Sequence, residues 1–510
     1  MPRRPIVPNI IPAKLQNLPC KKNTPKLARH HKNAYLCADF FLNRFNYFSK
    51  FIFSMKNWLQ YCSIALLLVS LSTKAQDFVG FNSHPYAGVT SLDVNPANVA
   101  GTVYKVDVNL VGASLYANNN YLTFKPKPFY KWDVAQDKST ELNANGVATN
   151  FFAQTRVQLP SAMFDINYNN AVALTLQTRA YVQAENVDMH LAKLIYEDFD
   201  YSNYWNTNYS AANMKVRAMT WSEIGLGYGH VFYFNGGHRI KVGTRLKYLL
   251  GHNSLYLNSN SVSYLFQNDH VMNVNGNFNY GHSTSLGEDV GFKTSGSGFG
   301  YDLGVKYSYN NQYILGLALI DGGGLKFDRA VTSSNFSIDQ QNWDLNNENV
   351  NNIADLDSII AARGVVSNST NEYKIGLPTT LTLQATANLW ESGDFEGGGY
   401  QNLYVNVTSY FDLSGMNNAK DASMKPVPMT TATFGFVSIP IAAGIPVSFG
   451  GVPGFQVGGF LRLGPFVLGS KNFLTSLIAK EVRDADIYAA LKIPILKPRP
   501  NIVKGCPKHF

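Results

Sequence analysis

Five charged residues sit where a β-strand would turn them all to one side. Lys241, Arg245 and Lys247 alternate in 239–250 with Ile240, Val242, Thr244, Leu246 and Tyr248. Asp302 and Lys306 alternate in 299–309 with Tyr301, Leu303, Val305 and Tyr307. Successive side chains of a strand point to opposite faces, so the charges share one face and the apolar residues the other. A face of this kind can line a lumen and favour polar or anionic passage. Its charges can equally neutralise one another or a plug. Other chemistry is poorly supplied. Gly296-Ser297-Gly298-Phe299-Gly300 runs into a strand pattern and not a helix, so it is no phosphate cradle. No Gly-x-Ser-x-Gly elbow lies in a strand–turn–helix context. The histidines beyond residue 75 (His84, His190, His230, His238, His252, His270, His282 and His509) show no zinc spacing. His230 reads as an interfacial residue near a strand end. Asp344, Asn346 and Glu348 lack the glycine and closing Glu of a calcium loop. No catalytic, metal or cofactor site is expected, and the chain is not expected to be an enzyme. A barrel hydrolase would need a Ser/His/Asp cluster on neighbouring strand ends, which spacing does not reveal.

The elements that would position the charges follow from composition and periodicity. Of 510 residues, 13% are aromatic and only 15% charged, against about 25% charged in ordinary soluble domains. The net charge of +9 is concentrated at the start. Residues 1–75 hold 12 of the 43 Lys and Arg and one of the 34 acids, which leaves 31 basic against 33 acidic residues. No nucleic-acid partner follows from that balance. Cys20, Cys37 and Cys62 also lie in this region, so after its removal Cys506 has no partner for an intramolecular disulfide.

Met55-Lys56-Asn57 begins a second plausible start. The apolar run 58–71 follows, then Ser72-Thr73-Lys74-Ala75. This predicts a signal peptide over 55–75, cut between Ala75 and Gln76, with 1–54 an upstream extension. The run is too short to span a bilayer as a helix. From 76 onward no apolar run is long enough either, so membrane residence requires a closed barrel.

Period-two alternation recurs to the end of the chain. Besides 239–250, 299–309 and 380–390, strands fit near 104–116, 153–168, 171–183, 221–234, 271–280, 313–320, 403–412, 431–441, 455–463 and 486–496. The expected architecture is all-β: a transmembrane antiparallel β-barrel of about 14 strands over 104–496. Tyr228, Phe232, Tyr248, Tyr307 and Phe411 would form interfacial girdles. Asn169-Asn170, Asn235-Gly236-Gly237 and Asn310-Asn311 mark tight turns. The stretches 185–215, 251–298, 328–372 and 413–430 read as long extracellular loops, with helices over 187–199 and 353–362. Residues 497–510 form a basic, proline-bearing tail.

Between leader and first strand lies Val89-Thr90-Ser91-Leu92-Asp93-Val94-Asn95-Pro96-Ala97-Asn98. Asn-Pro by itself marks a turn. In this place Asn95-Pro96-Ala97 resembles the N-terminal segment of long-chain fatty-acid transporter (FadL-type) barrels, which folds inside the lumen as a hatch. More of the chain resembles an uncharacterised Bacteroidetes family of outer-membrane barrels, on residues 88–98, 159–164, 221–228, 461–465 and 486–494. The resemblance implies a hatch-like segment over 76–103, residence in the bacterial outer membrane in contact with its lipid, and a channel or carrier for small hydrophobic ligands. The alternative is a non-transport scaffold or secretion-accessory barrel that docks protein partners through loops 251–298 and 328–372.

Overall fold

The computed structural model describes residues 78–497, except 85, 124–140, 143–148, 198, 284–292, 348–352, 393–399, 418–421, 439–440, 451–453 and 480–481. The expected extension, signal peptide, Ala75–Gln76 junction and residues 498–510 of the tail lie outside the described residues.

Fourteen antiparallel strands close into a barrel. In chain order they are β1 (Tyr104–Asn119), β2 (Thr149–Gln158, continued by Ser161–Asp165), β3 (Asn170–Val187), β4 (Lys215–Tyr233) and β5 (His238–Phe266). Next come β6 (Gly296–Tyr309), β7 (Tyr313–Phe327), β8 (Thr380–Ser392), β9 (Gln401–Asp412) and β10 (Met429–Ser438). The last four are β11 (Ile441–Phe449), β12 (Gly459–Leu463), β13 (Phe466–Ser470) and β14 (Asp484–Leu496). Closure is the pairing of β14 with β1, from Tyr104 opposite Leu496 to Asn118 opposite Asp484. A closed ladder leaves no edge carrying unpaired backbone groups, which is the condition for standing in lipid.

The two faces differ as alternation requires. On β4, Ile224, Leu226 and Tyr228 are exposed, while Glu223, Gly225 and Gly227 are buried. Leu226 and Leu246 are each 64% exposed, and Leu303, Leu315, Leu383, Leu461 and Ile493 continue the outer band. An apolar outside around a polar inside is the membrane arrangement of a barrel. No helix among the described residues is long and apolar enough to cross a membrane.

One end of the barrel carries short turns. Gly236 and Gly237 take φ of 77° and 81°, and Asn310 and Asn311 take 48° and 58°. These left-handed conformations suit a reversal that follows the strand twist. Next to the Asn169-Asn170 turn, Asn170 Oδ1 accepts from Tyr228 Oη at 2.6 Å and lies 2.8 Å from His230 Nδ1. Pro160 has no N–H to donate and falls at the break between the two pieces of β2.

The opposite end departs from the sequence reading. The described residues of 251–298 and 328–372, expected as loops, are largely strand. Strand β5 is 29 residues long and continues past the barrel to Phe266. There it pairs with Val271–Ser283 and Tyr209–Ala212. Val331–Asp344 and Gly364–Thr370 extend the same sheet. Alternation reports a half-buried sheet and not a membrane, so it placed 271–280 in the barrel wall although that strand stands outside it. It also missed β11, whose Pro446 interrupts the pattern, and β13, which is only five residues long. The helix α1 (Met189–Tyr196) is capped by Asp188, whose carboxylate accepts from His190 N at 3.0 Å and Leu191 N at 3.3 Å. Its Leu194 packs with Val262, Tyr264, Phe266 and Ile338 of the extended sheet. A second helix, α2, spans Ile353–Arg363.

Candidate functional site in the barrel interior

Described residues of 78–101 pack against side chains of the barrel: Phe78 and Phe81 cluster with Tyr404, Phe460 and Tyr488, and Val89, Leu92 and Val99 with Met163, Ala173 and Val231. Two 3-10 turns, Gly88–Asp93 and Pro96–Val99, shape the segment. Asn95 caps the second: its Oδ1 accepts from Ala97 N at 3.0 Å. The Asn95 amide also donates to the carbonyls of Val305 and Leu317, each at 3.3 Å. The wall makes room with glycine. A Cβ on Gly243 would strike the Pro96 carbonyl, one on Gly304 would strike Asn95 and Pro96, and one on Gly229 would strike Val99. The Asn95-Pro96-Ala97 turn therefore lies on β5, β6 and β7, where inward positions carry no side chain.

Beside this turn runs a buried ion network. Asp93 accepts from Arg156 Nη1 at 2.7 Å and from Gln158 at 2.9 Å, and pairs with Arg245 Nη1 at 2.8 Å. Arg245 Nε reaches Asp302 at 2.6 Å, and Lys247 reaches Asp302 at 2.8 Å. Lys247 also pairs with Asp321. Arg179 joins Asp321 at 2.7 Å and Glu223 at 3.0 Å. The cations Arg156, Arg179, Arg245 and Lys247 thus face the anions Asp93, Glu223, Asp302 and Asp321. Burying an unpaired charge costs several kcal/mol, so the layer is stable only as a neutral set. One of its anions comes from the N-terminal segment. Burial pushes the Asp93 carboxyl upward, but Arg156 and Arg245 outweigh it and hold the group below its ordinary value.

Three of the five charges expected in the lumen meet here: Arg245, Lys247 and Asp302. Lys241 lies apart and donates to the carbonyls of Ala100 at 3.1 Å and Gly101 at 2.8 Å. Lys306 has no hydrogen bond or ion pair among the described residues. Sequence reasoning missed Asp93, Arg156, Arg179, Glu223 and Asp321. Arg156, Arg179 and Glu223 do alternate with apolar residues in their strands. Asp93 sits in an irregular segment, and only folding shows where it points.

Two further layers flank the ions. Toward β14, Lys492 pairs with Asp107 at 3.2 Å and donates to the Ala87 carbonyl. Val89 N donates to Asp107 at 2.7 Å, and Tyr488 Oη donates to the Val79 carbonyl at 2.7 Å. His84 packs edge-on to Tyr404 and Phe460. Burial first, then the positive charges of Arg462 and Lys492, hold its imidazole well below the ordinary 6.5. Toward the long excursions the interior is apolar: Trp221, Tyr256, Phe327, Tyr373, Ile375, Leu377, Met424 and Met429 belong to one buried cluster. Between the ion and apolar layers, a cavity of about 20 Å³ is lined by Asp93, Arg156, Arg179, Tyr181, Asp321 and Val427, among others. That volume holds a water and no hydrocarbon. Among the described residues no cluster of His, Cys, Asp or Glu is arranged for a metal ion.

No curated protein matches the chain. Among solved structures it is similar to the toluene transporter TbuX of Ralstonia pickettii, at 9% identity and a TM-score of 0.36, over 80% of this chain and 93% of that one. It is also similar to the toluene transporter TodX of Pseudomonas putida, at 8% identity and 0.35, over 82% and 98%. A FadL homologue of Pseudomonas aeruginosa gives 10% and 0.27, again over 82% and 98%. By sequence, residues 96–470 match a family of unknown function, DUF5723, and the chain belongs to that family.

Proposed function

We propose that this protein is an outer-membrane channel or carrier for small hydrophobic molecules, closed at rest by its N-terminal segment. The observation that carries the reading is the stacked interior: an apolar aromatic layer lies on a charge layer whose neutrality depends on Asp93 of that segment. A hydrophobic solute entering from the long-excursion end, taken as extracellular, would partition into the apolar layer. It could not pass further while residues 78–101 fill the interior. Moving the segment near Asn95-Pro96-Ala97 removes both the obstruction and one anion, and exposes a route toward the short-turn end. Deleting residues 77–100 should raise single-channel conductance and hydrocarbon uptake in membranes that hold a heat-modifiable, folded barrel. Unchanged conductance and uptake with an intact barrel would defeat the gate.

A second reading, a docking scaffold, is favoured by one observation. The sheet beyond the barrel ends in Gly364–Thr370, a strand almost wholly exposed, with Val365 at 70%. Recovery of a stoichiometric protein partner that is lost on removing this strand would favour that role over transport.

A further inference from the structure

The sheet that β5 carries past the barrel has one covered face and one open face. The covered face holds Val262, Tyr264, Val274 and Ile338, packed with Leu194 of α1. The open face centres on Val271–Ser283, where Asn273, Asn275, Asn277 and Asn279 stand at alternate positions and so point one way. Residues directly opposite each other in a ladder share a face, so register extends the series over the neighbouring strands. One row runs from Ser261 through Asn277 and Ser337 to Val365. The next runs from Ser263 through Asn275 to Asp339.

Asparagine is depleted in strands, because its short amide competes for backbone hydrogen bonds. Four on one strand face therefore weaken the sheet unless the amides are used. The outer two are used within the sheet: Asn279 Nδ2 donates to Asn335 Oδ1 at 2.5 Å, and Asn273 Oδ1 accepts from Asn342 N at 2.8 Å. Asn275, Asn277, Ser261 and Ser337 are exposed, and among the described residues their side chains have no hydrogen bond. A carboxamide presents two donors and an acceptor, and a hydroxyl presents one donor and an acceptor. The rows repeat such groups roughly 5 Å apart across the strands and about 7 Å apart along them, the scale of a sugar ring. They hold one carboxylate, Asp339, and no basic group. This matches a neutral polyol, whose every hydroxyl both donates and accepts. A phosphorylated or uronic-acid saccharide would find no cation there. Val365, 70% exposed at the end of one row, offers an apolar contact to the C–H face of a sugar ring. The surface is open and spans several strands, so it suits an extended chain better than a single sugar.

We propose that the open face of this sheet, centred on Asn275 and Asn277, binds a neutral polysaccharide outside the cell. The site lies beyond the barrel and is independent of the interior and of the transport reading. Its contacts are hydrogen bonds between uncharged groups, so salt leaves the binding nearly unchanged.

The test is biolayer interferometry on the purified, heat-modifiable barrel, immobilised in a polyoxyethylene detergent because a maltoside would itself present sugar. The probes are laminarin, mannan and galactan, which are neutral, and alginate, which is anionic. At least one neutral polysaccharide should bind at least about tenfold more tightly than alginate and keep that affinity from low to high salt. Asn275→Thr with Asn277→Thr suits a strand better than the parent sequence does. The sheet should then resist protease at least as well as before, while affinity falls about tenfold or more. Ile195→Ala, at an exposed position of α1 on the other face, should bind as the parent does. Binding to none of the three neutral polysaccharides overturns the proposal. So does alginate binding as tightly as they do, or full affinity in a folded barrel carrying both threonine substitutions. Light scattering covers a second occupant: a dimer that those substitutions abolish, with no polysaccharide bound, assigns the face to another copy of this chain and overturns the proposal. Neither readout depends on residues 78–101, so failure of this site and failure of the gate are read separately.

Discussion

At the scale of single residues the interior is governed by compensation. Asp93 pairs with two buried arginines, Arg156 and Arg245, and Arg245 keeps Asp302 as a second counterion. Asp93→Asn keeps the shape and removes the charge, so Arg156 and Arg245 lose a counterion. Breaking a buried pair in this way costs about 3–5 kcal/mol. Hydrogen exchange in residues 78–101 should therefore rise sharply in Asp93→Asn while the barrel ladder stays protected. His84 gives a pH dependence of definite sign. Docked, it is neutral and its pKa lies well below 6.5; undocked, it returns to about the ordinary value. Docking is then fully favourable above about pH 6.5 and weakens as the pH falls below it, because protonation buries a cation away from water and, secondarily, sets it beside Arg462 and Lys492. Exchange of the segment, corrected for intrinsic rate, should increase between pH 7 and pH 5, and His84→Phe should flatten that response.

At the scale of elements, glycines make the wall and the segment fit. Gly243 faces the Pro96 carbonyl with no space for a side chain. Gly243→Val is otherwise compatible with a strand, so it should displace the Pro96–Val99 turn without unfolding β5. Conductance should approach that of the 77–100 deletion, with heat-modifiability unchanged. The outward positions of the same strand answer to lipid. Leu246→Arg sets a charge on the apolar band and should cost about 2–4 kcal/mol if it lies near the bilayer midplane. Val365→Arg, on the sheet beyond the barrel, should be nearly neutral. Folding yields into liposomes at graded urea compare the two. Equal, small effects would mean that the band does not face lipid.

At the scale of the molecule, closure of β14 on β1 makes the barrel independent of what it contains. Among the described residues, no pairing in the wall uses residues 78–101. The full chain and the deletion should therefore both migrate faster on a gel unboiled than boiled.

The sequence by itself determined the all-β class and much of the strand pattern. A wall with lipid outside and polar groups inside writes that difference into alternate residues, and Lys241, Arg245, Lys247, Asp302 and Lys306 could be assigned to one face on this ground alone. It also determined the tight turns, because Asn and Gly tolerate the left-handed backbone found at Gly236, Asn310 and Asn311. Alternation is a local signal and does not report which strands neighbour one another. Only the tertiary structure decided that 271–283 stands outside the barrel and that β11 and β13 complete it. The same limit applies to the interior. Arg245 gains its meaning from Asp93, which is 152 residues away in the chain, and Lys306 from Lys241 directly across the ladder. Register and barrel closure create those pairs, and neither can be read from the spacing of residues within one strand.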